Sequence, residues 1–264
     1  IGFSFMAGPI LASALVDNYQ QAVRASAAVT IVSSTLILLL PTPLEKGERS
    51  RRTQQEKLSS GLLDFVSLPV LRTRGAQVLM TMRLLMALAF HMFVPVWQGS
   101  IKERVDFGPR DHALFMGIVG FTYALSQGFV AERLVRWTAN KPSTLLLGCI
   151  FVLGGARPIA LWTSSVYVVY ALYVPMVISL GVLNTAISTA STHLADKAQL
   201  GGFFGVMESV ENVAGMFGPA LGGLLSRTAG EKGTLAAVVG CYGAAFALVS
   251  LYFTKHITNR TKSS

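Results

Sequence analysis

Charge is scarce in this chain of 264 residues. Only 13% of them are Asp, Glu, Lys or Arg, against about 25% in a typical soluble domain, which argues against water as the main solvent. Acids are the rarer sign, 13 against 22 basic residues. The two cysteines, Cys149 and Cys241, both lie in apolar runs and read as small hydrophobes, so no disulfide-stapled fold is indicated. There is no H-E-x-x-H, no G-x-S-x-G, no Walker-type glycine-rich loop and no Cys/His cluster at metal spacing. Those absences argue against a membrane-embedded enzyme, a resident cofactor and an ATP-driven pump. The chain opens at Ile1, already inside an apolar stretch and without a charged leader, which reads as a truncated start rather than a signal peptide.

What is present is hydrophobic: 52% of residues, with a mean hydropathy of +0.54. A membrane span needs about 20 mainly apolar residues. Eight stretches meet or approach that length, at roughly 1–16, 22–40, 76–97, 113–132, 143–162, 166–190, 203–225 and 234–253. The second stops at Pro41 and Pro43, because proline cannot continue a helix. The long polar stretch 41–75, with seven Lys/Arg, is the candidate boundary between two units. Within it, Gly61 to Leu71 reads either as a surface-lying amphipathic helix or as an irregular loop. Of the 22 basic residues, fourteen fall on the linker's side of the spans and six on the other, with Arg83 and Arg157 inside spans. The positive-inside rule then puts the linker and the C-terminus in the cytosol, in a membrane of unspecified identity. It also explains the net charge of +9 without a nucleic-acid partner.

The chain has an internal echo. Gly8-Pro9 with Ala12-Ser13 in the first stretch matches Gly218-Pro219 with Gly222-Gly223 in the seventh, and each is followed by one more apolar stretch. Around the seventh, Gly205, Ala214, Gly218-Pro219 and Gly222-Gly223 resemble the G-x8-G-x3-G-P-x2-G-G motif of the major facilitator superfamily, with Ala214 in place of a glycine. At the end of the fourth, Gly128, Glu132, Arg133 and Arg136 resemble the second copy of that family's loop motif, G-x-x-x-D-R-x-G-R-R. Here Glu132, Val135 and Trp137 depart from it. Asp196 to Gly202 is similar to the family's short loop between helices ten and eleven.

The resemblance implies an all-α polytopic membrane protein of major-facilitator type, with eight transmembrane helices of an expected twelve. Residues 1–40 would be the last two helices of an N-terminal six-helix bundle, 41–75 the cytosolic linker, 76–254 the C-terminal six-helix bundle and 255–264 a cytosolic tail. It further implies the missing N-terminal helices as a partner, and a secondary transporter that works by alternating access on a small organic solute. The look is closest to the drug/proton antiporter and organic-cation-transporter-like branches. The alternatives are a transport-inactive scaffold or nonfunctional fragment and, behind these, a membrane enzyme. His193 and Asp196 would be the nearest approach to a catalytic pair, but they lack a third partner and read as loop.

Polar side chains inside spans are costly and usually face protein or water. In the third span Arg83, Ala87 and His91 share a face. The fourth carries Gly117, Gly120, Ala124, Gln127 and Ala131; the sixth, Gly181, Asn184, Ser188 and Thr192; the seventh, Glu208, Glu211, Gly215, Gly218 and Gly222. Arg83 lies about 10 Å into its span, and Glu208 and Glu211 about 8 and 12 Å into theirs at ~1.5 Å per residue. Arg83 therefore either snorkels to the interface or meets one of the carboxylates at matching depth. Arg83, Glu208, Glu211, His91, Asn184 and Gln127 are the candidates for binding solute or coupling protons. Glu211 is first choice for the protonated group, because depth disfavours the charged form. His91 reads as a hydrogen-bonded packing residue or a proton relay, Asn184 as helix glue or a solute contact, and Arg157 as snorkelling.

Overall fold

The computed structural model describes residues 19–38, 68–105, 108–138, 141–196 and 199–258, and every regular element among them is helical. In chain order these are α1 (Tyr19–Leu38), α2 (Arg74–Val105), α3 (Pro109–Leu125), α4 (Ala131–Trp137), α5 (Pro142–Trp162), α6 (Val166–Leu194) and α7 (Leu200–Leu248). A wider-wound turn, Ser126–Val130, joins α3 to α4, and another, Val249–Thr258, continues α7. The repeat partner Gly8-Pro9 and most of the linker lie outside the described residues.

The helices begin where the local chemistry allows. Pro109 and Pro142 open α3 and α5, where a missing N–H is no loss. The Asp111 carboxylate accepts the Gly108 N–H at 3.1 Å, taking up a donor ahead of α3. Of the expected surface helix over Gly61 to Leu71, residues 61–67 lie outside the described residues. The remainder belongs to a single tight turn, Pro69–Arg72. Pro69 starts this turn and Val70 is buried under it. The Val70 N–H donates to the Gln199 side chain at 3.2 Å, tying the start of α2 to the start of α7.

Five of these helical runs are long and apolar enough to cross a membrane: Arg74–Val105, Asp111–Trp137, Pro142–Trp162, Val166–Leu194 and Leu200–Lys255. The last, of 56 residues, is divided at Gly230, whose φ of +69° suits glycine alone. There the chain turns back on itself. The Thr234 hydroxyl reaches the Gly222 carbonyl at 3.4 Å, whereas twelve residues of straight helix would hold them ~18 Å apart.

Large side chains such as Phe93, Trp97, Phe115, Phe203 and Phe253 are buried between the helices. Others, including Phe151, Phe217 and Leu251, face outward, as expected where the surroundings are hydrocarbon. Trp137, ahead of α5, Trp162, its last residue, and Tyr167, at the start of α6, are all exposed, matching the aromatic belts of membrane proteins. The 21 residues of α5 span about 31 Å, close to the ~30 Å of a bilayer core.

Candidate functional site

Among the described residues the most extensive seam lies between α2 and α7, whose first leg runs parallel to α2. Three contacts set its register. Near the start of both helices, Arg83 Nη2 pairs with Glu208 Oε2 at 3.3 Å and with Glu211 Oε2. Further along, His91 lies on Gly215 and Gly218, and then Met92 lies on Gly222. A Cβ at Gly222 would stand 2.5 Å from the Met92 carbonyl oxygen and 3.0 Å from its Cα, so only glycine lets the two backbones approach this closely.

Arg83 thus meets both carboxylates rather than one or neither. Its side chain is 16% exposed, with Glu211 at 40% and Glu208 at 66%. One guanidinium between two carboxylates leaves one negative charge over, at a site open on one side. His91 has no hydrogen-bond partner among the described residues; it stacks edge-on with Phe90 at 5.3 Å between centroids and otherwise packs on the glycines.

A second polar group centres on Tyr123, which the helical pattern does not single out. Its hydroxyl oxygen accepts from the Gln127 amide at 2.9 Å and from the Asn184 amide at 3.0 Å. Both lone pairs are then used, and its own proton is left to donate. The wide turn Ser126–Val130 follows closely after Tyr123 and contains Gln127. Ser126 is buried and donates to the Ile178 carbonyl at 2.9 Å, against the close face of Gly181. An extra residue in the turn rotates the helix beyond it. The expected stripe from Gly117 to Ala131 is not one face: Gly117 and Gly120 are buried, Ala124 and Gln127 are exposed, and Ala131, beyond the turn, is wholly buried again.

Arg157 does not snorkel. It is 2% exposed, with its guanidinium carbon 4.5 Å from the Phe93 ring centroid, and Nη2 donates to the Tyr242 hydroxyl at 3.3 Å. No described acid pairs with it. Trp162 ends α5 only five residues on, within reach of an arginine side chain, but the aromatic faces of Phe90, Phe93 and Tyr242 hold the guanidinium inside.

In the loop motif, Glu132 and Arg136 form an exposed ion pair one helical turn apart, Arg133 is exposed, and a Cβ at Gly128 would touch nothing. In the glycine motif, Ala214, Gly218 and Gly222 are buried in the seam, whereas Gly205, Pro219 and Gly223 face outward. His193, expected in a loop, sits in the last turn of α6.

A family model described as Major Facilitator Superfamily matches residues 1–219. No curated protein matches the chain. No solved structure matches it either.

Proposed function

The chain belongs to the major facilitator superfamily, a family of secondary transporters, and from that premise we propose that it exchanges a small organic cation for protons by alternating access. In this reading α2 to α7 are the second bundle of a twelve-helix transporter, folded as six crossings once the break at Gly230 is counted. The linker and the C-terminus lie in the cytosol, and α1 is the last helix of the first bundle. The basic residues gathered on the linker's side support that orientation.

The observation that carries the proposal is the unequal charge at Arg83, Glu208 and Glu211. A proton or a cationic solute can neutralise the surplus carboxylate, but not both at once, and exchange requires such competition. Glu211 is the group assigned the exchange role, as the carboxylate further along the helix and the less exposed of the two. Gln127, Asn184 and the free proton of Tyr123 supply neutral hydrogen bonds to the solute, and His91 lines the route. The exposed pair Glu132–Arg136 with Arg133 forms the loop latch that re-pairs between states.

The test is proton release in proteoliposomes holding the full chain and an internal pH-sensitive dye, with tetraphenylphosphonium and ethidium added outside. Cation-dependent proton movement is expected, with Glu211→Gln abolishing its pH dependence and Glu208→Gln weakening it. Arg83→Ala and Glu211→Gln variants that transport normally with unchanged pH dependence would make the cluster a structural ion pair only.

A further inference from the structure

At the end of the bundle that carries Arg133, Arg136 and Lys141, a cavity of about 200 Å³ opens between α4, α5, α6 and the final wide-wound segment. Leu145, Leu146, Ala190, Phe253 and Ile257 make its walls. Two threonines also face it, but their hydroxyls are already spent. Thr138 donates to the Leu134 carbonyl at 2.6 Å and Thr189 to the Thr185 carbonyl at 2.9 Å. The interior is therefore apolar and offers no free donor. An apolar cavity of ~150 Å³ takes a benzene ring, so this one takes a short length of hydrocarbon chain and excludes a sterol or a helix.

The rim has the opposite character. His193 stands at the mouth, exposed, with no hydrogen-bond partner among the described residues. Lys141 is exposed and directly precedes Pro142, which lines the cavity. Lys255 and Arg133 are exposed nearby, and Lys141, Lys255 and Arg133 have no ion-pair partner among the described residues. Two described acids lie at this end: Glu132 is already held by Arg136, and Asp196, exposed just past the end of α6, is outnumbered by Lys141, Lys255 and Arg133. An apolar interior beneath an unneutralised positive rim, at the level where membrane helices end, matches one kind of molecule: an amphiphile with an anionic head and a hydrocarbon tail. Basic pockets between membrane helices bind such head groups.

We propose that this cavity is a binding site for one anionic phospholipid. The end of an acyl chain lies against Leu145, Ala190 and Phe253, and the phosphate is met by Lys141 and His193. The walls include neither Arg83, Glu208, Glu211 nor Tyr123, so the lipid does not compete for the solute cluster. Its effect is to bridge the starts and ends of four helical segments, fixing α5 to α6 at this end of the bundle.

The experiment uses the full chain in nanodiscs of phosphatidylcholine containing a minor fraction of phosphatidylglycerol. After transfer to detergent, retained lipid is counted by native mass spectrometry. One phosphatidylglycerol per chain is expected, retained in preference to phosphatidylcholine by on the order of tenfold. Lys141→Ala and His193→Ala should each lower that preference, Lys141→Ala by about fivefold. Ala190→Phe fills the cavity and should abolish retention of both lipids, with Leu145→Trp as a second filling variant; whichever melts like the unaltered protein is scored. Equal retention of the two lipids by the unaltered chain overturns the proposal. So does full retention of phosphatidylglycerol by the filled variant, which would mean charge alone at the surface. Retention of neutral alkyl detergent in place of either lipid also overturns it, as an apolar cavity without head-group recognition.

Discussion

Gly222 and Gly223 are neighbours in one helix and in one motif, and they should respond oppositely to the same added methyl. A Cβ at Gly222 lands 2.5 Å from the Met92 carbonyl oxygen and 3.1 Å from the carbonyl carbon, where ordinary contact begins at 3.4 Å. These are backbone atoms, so no side chain can swing aside and α2 and α7 must separate. A Cβ at Gly223 has nothing within 4 Å. Both alanine variants gain the same helix propensity, up to about 1 kcal/mol, and the difference between them isolates the clash. Overpacking of this kind costs about 1–3 kcal/mol. Gly223→Ala should match or exceed the unaltered protein in stability, and Gly222→Ala should fall below Gly223→Ala by about that amount. Reversible unfolding of the full chain in mixed detergent and SDS micelles, followed by helical circular dichroism, measures both. Widening the seam also pulls Arg83 away from its carboxylates, so Gly222→Ala should lose transport more than stability. Two variants unfolding within about 0.5 kcal/mol of each other would refute the close approach of the helices, since surface substitutions alone scatter that much.

Two further substitutions test other features. Arg157→Met removes a buried cation with no acid partner among the described residues. The lost cation–π contact of ~2 kcal/mol and charged hydrogen bond of ~1.5–3 kcal/mol are set against a desolvation cost of several kcal/mol. Unfolding stability should stay within about 1 kcal/mol or rise, while Arg157→Ala, which leaves a hole, should lose about 3 kcal/mol; a loss of that size in the methionine variant would point to an acidic partner. Tyr123→Phe deprives the Gln127 and Asn184 amides of their shared acceptor, costing about 0.6–2 kcal/mol. In a double-mutant cycle with Asn184→Ala the effects should be non-additive, and strict additivity would dissolve the network.

How far the site can be read from residues alone differs from one group to another. Arg83, Glu208 and Glu211 are legible because a charge in an apolar run is conspicuous and depth along a helix is simple arithmetic. The pairing of one arginine with both acids is not, since it depends on how closely α2 and α7 approach. Tyr123 escapes notice because tyrosine in a span reads as ordinary apolar bulk; only the two amides converging on its hydroxyl reveal its place. Arg157 misleads for a related reason. Position near a helix end suggests snorkelling, but the aromatic rings that hold the guanidinium come from α2 and α7, far away in sequence. The stripe on the fourth span parts at Ala124, exposed where Gly117 and Gly120 are buried, and the wide turn at Ser126–Val130 then resets the period so that Ala131 is buried again.

The amino-acid sequence by itself determined that long apolar helices follow one another, roughly where each begins and ends, and which carry polar side chains. Those properties are local. Span length, proline at a first turn, glycine at a reversal and the sorting of charge act within a dozen or two residues. Only the tertiary structure decided which of those polar groups touch. Register between helices is set by backbone approach at Gly218 and Gly222, by the wide turn at Ser126–Val130 and by the break at Gly230. A shift of one residue in any of them would carry a side chain about 100° around its helix and away from its partner.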